Sequence, residues 1–267
     1  MTSFEFRLHE IDPTVQFGFF FWSLDQGPEV LRLAREIVTA MPPEVNAVIG
    51  AVNAPPAPFI PSQHHFAPGY ALFLTGFGSG REHDQLVTQV RERVPPQFDL
   101  VTTMPYVELQ QLLDEANAWG SCCYEKGIYL EDLADPVIDV LTGQIPRKNS
   151  LMSMLLLYRL DGAYSRVGDS ETAFSGGRSP RYAAFIVGIA RDTDQLAADR
   201  GWVRSVWQAL QPHAIGNGGG YVNGTSEYSG DRVRASYGAA KYGRLATIKA
   251  EYDPDNVFHL NGNIAPA

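Results

Sequence analysis

Tyr242-Gly243-Arg244-Leu245-Ala246-Thr247-Ile248-Lys249-Ala250-Glu251-Tyr252-Asp253-Pro254-Asp255-Asn256-Val257-Phe258-His259-Leu260-Asn261-Gly262-Asn263-Ile264 is the stretch that decides how this chain is read. Its first half predicts a helix patterned on Leu245 and Ile248 that runs to Tyr252. Pro254, which has no backbone N–H to give to a helix, stops it. Asp255 and Asn256 then supply a turn. Val257 and Phe258 are expected to dock, and Asn261 and Asn263 follow on a short extended tail. A carboxamide both donates and accepts hydrogen bonds, so this tail reads either as a cap on the domain or as a set of contacts to a polar edge.

Working outward, strand-like and helix-like segments alternate. Val15 to Trp22 reads as an aromatic-rich strand. Pro28 suits a helix start, and Val30, Ala34, Ile37, Val38 and Met41 fall on one helical face that Pro42-Pro43 ends. Val45 to Val52 and Tyr70 to Thr75 are further strands. Between them the proline-rich run from Ala54 to Pro61 cannot be regular, because proline removes ladder donors. Leu86, Val87, Val90 and Val94 mark a second amphipathic helix. Leu109, Leu112 and Leu113 mark a short one, as do Val137, Ile138 and Leu141. Leu151 to Leu160, Ala163 to Val167 and Tyr182 to Ala190 read as strands, with a hairpin turn at Leu160-Asp161-Gly162-Ala163. Leu196 to Leu210 is a helix carrying Trp202 and Trp207. Hairpins mixed with helices predict an α+β architecture, an antiparallel sheet of about seven strands with helices covering one face. No linker divides the chain, so residues 1–267 are expected to form one domain.

The chain has 267 residues, 45% of them hydrophobic, which is ample for a packed core, and a formal charge of −9. An acidic chain without a basic tract is a poor partner for nucleic acid or anionic lipid. No apolar run reaches the length of a membrane span; Phe17 to Trp22 is too short. No signal-peptide pattern opens the chain, and the cytoplasm is the expected compartment. Cys122 and Cys123 are the only cysteines, and no third thiol or His-x-x-His run accompanies them to form a zinc site. His64 and His65 are adjacent on an extended segment, so they point to opposite faces and make no metal pair.

Two glycine-rich segments are candidates for binding. Gly76-Phe77-Gly78-Ser79-Gly80 lies between a strand and a helix, the context of a phosphate loop. Its spacing is wrong, and Glu82 and Asp84 already occupy the first helical turn and would repel a phosphate. It reads as a connection. Gly216-Asn217-Gly218-Gly219-Gly220-Tyr221-Val222-Asn223-Gly224 surrounds one tyrosine and one asparagine with glycines that let the backbone approach something closely. The alternative is a mobile loop. On the strand from Leu151 to Leu160, Met152, Ser153, Met154, Tyr158 and Arg159 are the side chains on offer.

The quoted C-terminal stretch closely resembles the signature of the berberine-bridge-enzyme-like FAD-linked oxidases. Phe4-Glu5-Phe6-Arg7-Leu8-His9 resembles the strand by which those enzymes leave their flavin domain. Gly220-Tyr221-Val222-Asn223 matches the family's Gly-x-Tyr-x-Asn segment. Thr172-Ala173-Phe174 matches its Thr-Ala-Phe, and the run from Met104-Pro105-Tyr106 to Leu109-Gln110 matches its Pro-Tyr-x-x-Leu-Gln. The resemblance implies that Tyr221 helps remove a substrate proton. It also implies that Asn223, Asn261 and Asn263 lie near the flavin, and that Arg178 and Tyr158 face the substrate. A phenol is a poor base at neutral pH and would need a nearby cation or the flavin's field.

The chain departs from the family at three places. Gly224 replaces an aromatic residue and is expected to widen or empty the pocket. Ser175-Gly176-Gly177 replaces Pro-His, and Gly262 replaces a glutamine. The resemblance covers the substrate-binding half and the tail, not the flavin domain, and the family's His and Cys tethers lie outside it. FAD is therefore expected only if a separate flavin domain or a longer parent supplies it, because side chains alone do not transfer hydride. A bare face would otherwise be covered by a partner subunit or by a homodimer. The leading expectation is the substrate-binding half of a flavin-dependent oxidoreductase acting on a small organic molecule, such as a secondary metabolite, alkaloid or sugar. The alternative is a flavin-free binding protein or a non-redox enzyme, a cyclase or isomerase. The bland reading is a fragment that folds without activity.

Overall fold

The computed structural model describes residues 3–8, 10–78, 80–112, 114, 119–215, 220–227 and 229–267. Strand β1, Thr14–Ser23, is the expected aromatic strand, and its alternation serves two cores at once. Phe20 and Trp22 point to the helices; Phe17, Phe19 and Phe21 point to the opposite face. Around it the sheet is built from β2 (Val45–Asn53), β3 (Pro68–Gly76), β4 (Phe98–Pro105), β5 (Cys122–Leu130), β6 (Met154–Leu160) and β7 (Arg181–Ala190). The seven strands lie in the order β4-β1-β3-β2-β6-β7-β5, and every neighbouring pair is antiparallel.

Helices α1 (Gly27–Ala40), α2 (Arg81–Arg93), α4 (Asp135–Gln144) and α5 (Thr193–Leu210) cover one face. Between them and the sheet lies the main core, from Leu31 and Ile37 through Leu72 and Leu157 to Val203 and Leu210. Pro28 sits in the first turn of α1, where its missing N–H costs nothing. Asp192 caps α5 by accepting from the Gln195 N–H at 2.8 Å. The short α3 (Tyr106–Gln111) starts directly behind Pro105. The proline-rich run before β3 folds over the helix-free side of β1, where Ala54 and Ile60 close a small aromatic core with Phe19, Phe21 and Phe98. Helices α6 (Gly230–Tyr237) and α7 (Ala239–Tyr252) make a separate contact through Val233, Tyr242 and Ala246.

Several expectations need correction. Ala163 to Val167 is not a strand. Asp161 accepts from the Gly162 N–H at 2.7 Å and from Ser165 Oγ at 3.2 Å, which winds the chain into turns instead. No tight hairpin joins β6 to β7: the connection runs over residues 161–180, although Gly162 does take a positive φ of 61°. β6 begins at Met154, because Ser153 turns its hydroxyl to the Ile189 backbone and ends regular pairing there. β4, β5 and α6 had no counterpart among the expected elements. Phe4 to Leu8 forms no strand; Phe4 and Phe6 stack on each other and are largely exposed. α7 turns Tyr242 and Ala246 inward and leaves Ile248 exposed. Val257 and Phe258 do not dock on this chain and are 67% and 81% exposed. Leu113, His9, Ser79 and the loop glycines Gly216 to Gly219 lie outside the described residues.

Candidate functional site on the helix-free face

Strand register assembles the site. Glu125 on β5 lies opposite Val187 on β7, which lies opposite Met154 on β6. One step along, Gly127, Phe185 and Leu156 stand in a row, and one step further Tyr129, Ala183 and Tyr158 do. Because side chains alternate, all of these face away from the helices, while Tyr124, Lys126 and Ile128 face toward them. The result is an apolar, aromatic floor that is half-buried in its middle.

Two segments wall this floor. The first runs along the free edge of β5: Thr225 bridges Lys126, and the Ser226 N–H donates to the Glu125 carbonyl at 2.9 Å. It carries Tyr221 and Asn223. The Tyr221 ring stacks on Phe174 at 6.0 Å between centroids and meets Phe185 edge-on at 6.5 Å. Its hydroxyl accepts from Asn223 Nδ2 at 3.1 Å. The second wall is the β6–β7 connection, which supplies Tyr164, Phe174 and Arg178. The Arg178 guanidinium lies 4.6 Å over the Phe174 ring and 5.3 Å over Tyr164, and donates to Thr172 Oγ1 at 2.7 Å. Tyr158 meets Phe185 edge-on at 5.7 Å.

Of the residues singled out in the sequence, Tyr221, Asn223, Tyr158 and Arg178 are thus gathered into one cluster, joined through Phe174 and Phe185. Asn261 and Asn263 are not. The Asn263 N–H donates to the Asn261 carbonyl at 2.9 Å, and among the described residues no hydrogen bond or ring contact links either to the cluster. Their tail folds back on α7, with Ile264 against the Tyr242 contact.

Sequence reasoning missed Phe185 and Glu125. Phe185 is the hub of the ring contacts, and it lay on an expected strand whose facing was not worked out. Glu125 lay on a segment with no assigned structure. The alternation of Tyr124, Ile128 and Leu130 was the available signal that residues 123, 125 and 127 share the other face.

Gly224 corrects an expectation. It does not empty the pocket: a Cβ built there would stand 2.5 Å from Phe185 Cε1, so the Phe185 ring already fills that space. Similarly, the Tyr129 ring lies within 2.3 Å of a Cβ on Gly176, which also has a φ of 90°. Ser175 is fully buried beside it, and Arg181 donates to the Gly176 carbonyl. The departures at Gly224 and at Ser175-Gly176 are therefore closely packed.

The floor is electrically unbalanced. Burial pushes the Glu125 carboxyl above its usual range. Burial also raises the Tyr158 phenol, and the Glu125 charge raises it further. Burial dominates at Tyr129 as well, which lies near Tyr221 and Tyr164. On the other face Lys126 is only 3% exposed and pairs with Glu227 at 2.7 Å. Arg200 and Arg204 join the same carboxylate, and the Lys126 bond leads the effects that hold Glu227 far below the usual range. Elsewhere, His64 packs near the Phe98 ring and His65 bonds the Ile60 carbonyl. The described residues contain no His, Cys, Asp or Glu cluster able to hold a metal. Cys122 and Cys123 open β5 unpaired.

Residues 220–265, which include Tyr221 and the whole tail, match the family model "Berberine and berberine like". An FAD-linked oxidoreductase of Dictyostelium discoideum is 22% identical over 269 aligned residues, covering 100% of this chain and 55% of the relative. The crystallised BBE-like 1 variant of Physcomitrella patens superposes with a TM-score of 0.77 at 17% identity, over 98% of this chain and 56% of that one. In its C-terminal segment and in its fold this chain resembles the berberine-bridge-enzyme-like FAD-linked oxidases. The 6-hydroxy-D-nicotine oxidase of Arthrobacter nicotinovorans has the same fold, with a TM-score of 0.74 at 17% identity, 97% of this chain and 56% of that one being covered. The chain thus spans about half the length of the relatives it matches. No described helix is long and apolar enough to cross a membrane.

Proposed function

We propose that this chain is the substrate-binding half of a flavin-dependent oxidoreductase acting on a small organic molecule, completed by an FAD-binding domain from a partner or from a longer parent protein. The observation that carries this reading is the aromatic floor itself. Tyr158, Phe185 and Tyr221 present half-buried rings on the sheet face opposite the main helical layer. Exposed apolar side chains at both ends of the chain, Phe4, Phe6 and Leu8 together with Val257, Phe258 and Leu260, suit coverage by a further domain.

The residues present fit a flavin in kind: flat apolar rings for a ring system and carboxamides for its polar edge. Tyr221 and Asn223 would stand on its ring side, with Asn261 and Asn263 contributing from the tail. FAD, when bound, supplies the two-electron acceptor. The floor holds an apolar substrate and excludes water. Tyr221, its hydroxyl fixed by Asn223, orients the substrate or holds its proton. Arg178 braces Phe174 behind Tyr221, and Tyr158 borders the pocket opposite. We also read residues 1–267 as one unit, since a single sheet underlies both halves of the sequence.

The test is an absorbance scan between roughly 350 and 500 nm of this chain combined with the family's flavin domain, after adding FAD and dialysing. A retained yellow complex that turns over an alcohol or amine supports the reading. A colourless, inactive complex refutes it and leaves the flavin-free alternative.

A further inference from the structure

Among the described residues, Glu125 has no counter-charge. Its backbone is satisfied: the N–H donates to Ser226 Oγ at 2.9 Å, and the carbonyl accepts from the Ser226 N–H. Among the described residues, however, no hydrogen bond or ion pair reaches its carboxylate oxygens. The cations nearby are spoken for. Lys126 is on the opposite face of the strand and binds Glu227. Arg178 lies over Phe174 and Tyr164 and binds Thr172. Arg181 binds the backbone of Ser179 and Gly176.

A desolvated carboxylate without a partner is costly: it shifts toward its neutral form unless a cation pairs with it. Its surroundings narrow what that is. One Glu125 oxygen lies 3.5 Å from the position of a Cβ on Gly224, beside the Phe185 ring edge, and the Tyr158 phenol is close enough to feel its charge. Phe185 in turn touches Tyr158 and Tyr221. A carboxylate set among aromatic rings is the arrangement that holds an organic ammonium, the charge meeting the anion and the neighbouring CH groups meeting the ring faces.

We propose that Glu125 is the substrate-anchoring anion of this face and that the site takes a protonated amine carried on an apolar body. The proposal rests on the aromatic floor being the substrate site, as proposed above. It goes further in separating amines from neutral alcohols and sugars.

The probe pair is benzylamine and benzyl alcohol, alike in shape and different in charge, titrated by calorimetry into the full chain without flavin. The wild type should bind benzylamine at least ten-fold more tightly than benzyl alcohol. E125Q should lose that preference while binding benzyl alcohol as before, and E125D should keep part of it. Equal affinities in the wild type, an undiminished preference in E125Q, or no binding of either probe at millimolar concentration would overturn the proposal. The wild-type comparison needs no variant, so it stands if E125Q fails to fold. Because flavin is absent from the assay, a preference for amine without flavin retention would refute only the oxidoreductase reading. Flavin retention without that preference would refute only this one.

Discussion

Replacing Gly224 by alanine should cost stability through one specific collision. The new methyl would stand 2.5 Å from Cε1 and 3.0 Å from Cδ1 of Phe185, whereas carbon atoms settle at about 3.5–4.0 Å. The ring must therefore move by roughly 1 Å, the shortfall from that spacing. It has little freedom to do so, because Tyr158 and Tyr221 both bear on it edge-on and it lies in the middle of the sheet floor. Overpacking of this kind costs about 1–3 kcal/mol. F185L removes the atoms that collide, at its own cost of about 1 kcal/mol for the lost ring. G224A added to F185L should then cost less than ~0.5 kcal/mol more, giving a coupling of about 1–2 kcal/mol between the two sites. Urea unfolding followed by far-UV circular dichroism measures each corner of the cycle, and the near-UV signal reports the ring packing. If G224A unfolds at the wild-type midpoint, or if the two substitutions simply add, Phe185 does not pack against residue 224 and the description of the site floor is wrong.

Other outcomes are expected. E227Q strands the buried Lys126 ammonium and should cost about 2 kcal/mol, and K126M in the same chain should recover most of it; an E227Q variant as stable as wild type would refute the pairing. The Glu227 contribution should be complete above the ordinary carboxylate range and should decline as pH falls through and below it. Burial brings Lys148 down to about 8 from an ordinary 10.5, so between those pH values the unfolded chain binds more protons and stability should rise, by about 1 kcal/mol per pH unit. The difference between wild type and K148M, measured by denaturant unfolding from pH 7 to 10, should show that rise, and a flat difference would refute it. In the completed flavin complex, Y221F should lower turnover roughly ten-fold or more while the variant still folds, within the range for loss of a proton-handling group; unchanged turnover would remove Tyr221 from the chemistry.

Where packing followed from local pattern, the sequence was legible. Val15 to Trp22, with its run of aromatics, and Val30 to Met41, with its helical spacing, came out as interior strand β1 and covering helix α1. β4 and β5 were harder to see because their partly polar alternation, such as Asp99-Leu100-Val101-Thr102 and Glu125-Lys126-Gly127, resembles neither a buried run nor a clean half-buried strand. Ala163 to Val167 misled in the other direction. Its side chains suit a strand, but Asp161 offers the backbone a local turn.

The candidate site divides in the same way. Tyr221 and Asn223 were readable because their glycine-rich setting and the Gly-x-Tyr-x-Asn resemblance marked the segment; the structure adds that it is a turn, closed by the Gly224 N–H on the Tyr221 carbonyl, with the Asn223 carboxamide on the Tyr221 hydroxyl. Arg178 and Tyr158 were readable only by resemblance. Phe185 and Glu125 were not readable at all, because their importance depends on register across three strands distant in sequence.

By itself the amino-acid order determined the kinds of elements, the acidic charge and the family signature near the C-terminus, all properties of neighbouring residues. Only the tertiary structure decided which side chains share the uncovered face. It also decided that Phe185 fills the space Gly224 vacates, and that Glu125 stands there without a counter-charge among the described residues. The physical reason is that strand pairing and desolvation are set between residues far apart in the chain, so neither register nor burial is written in any local pattern.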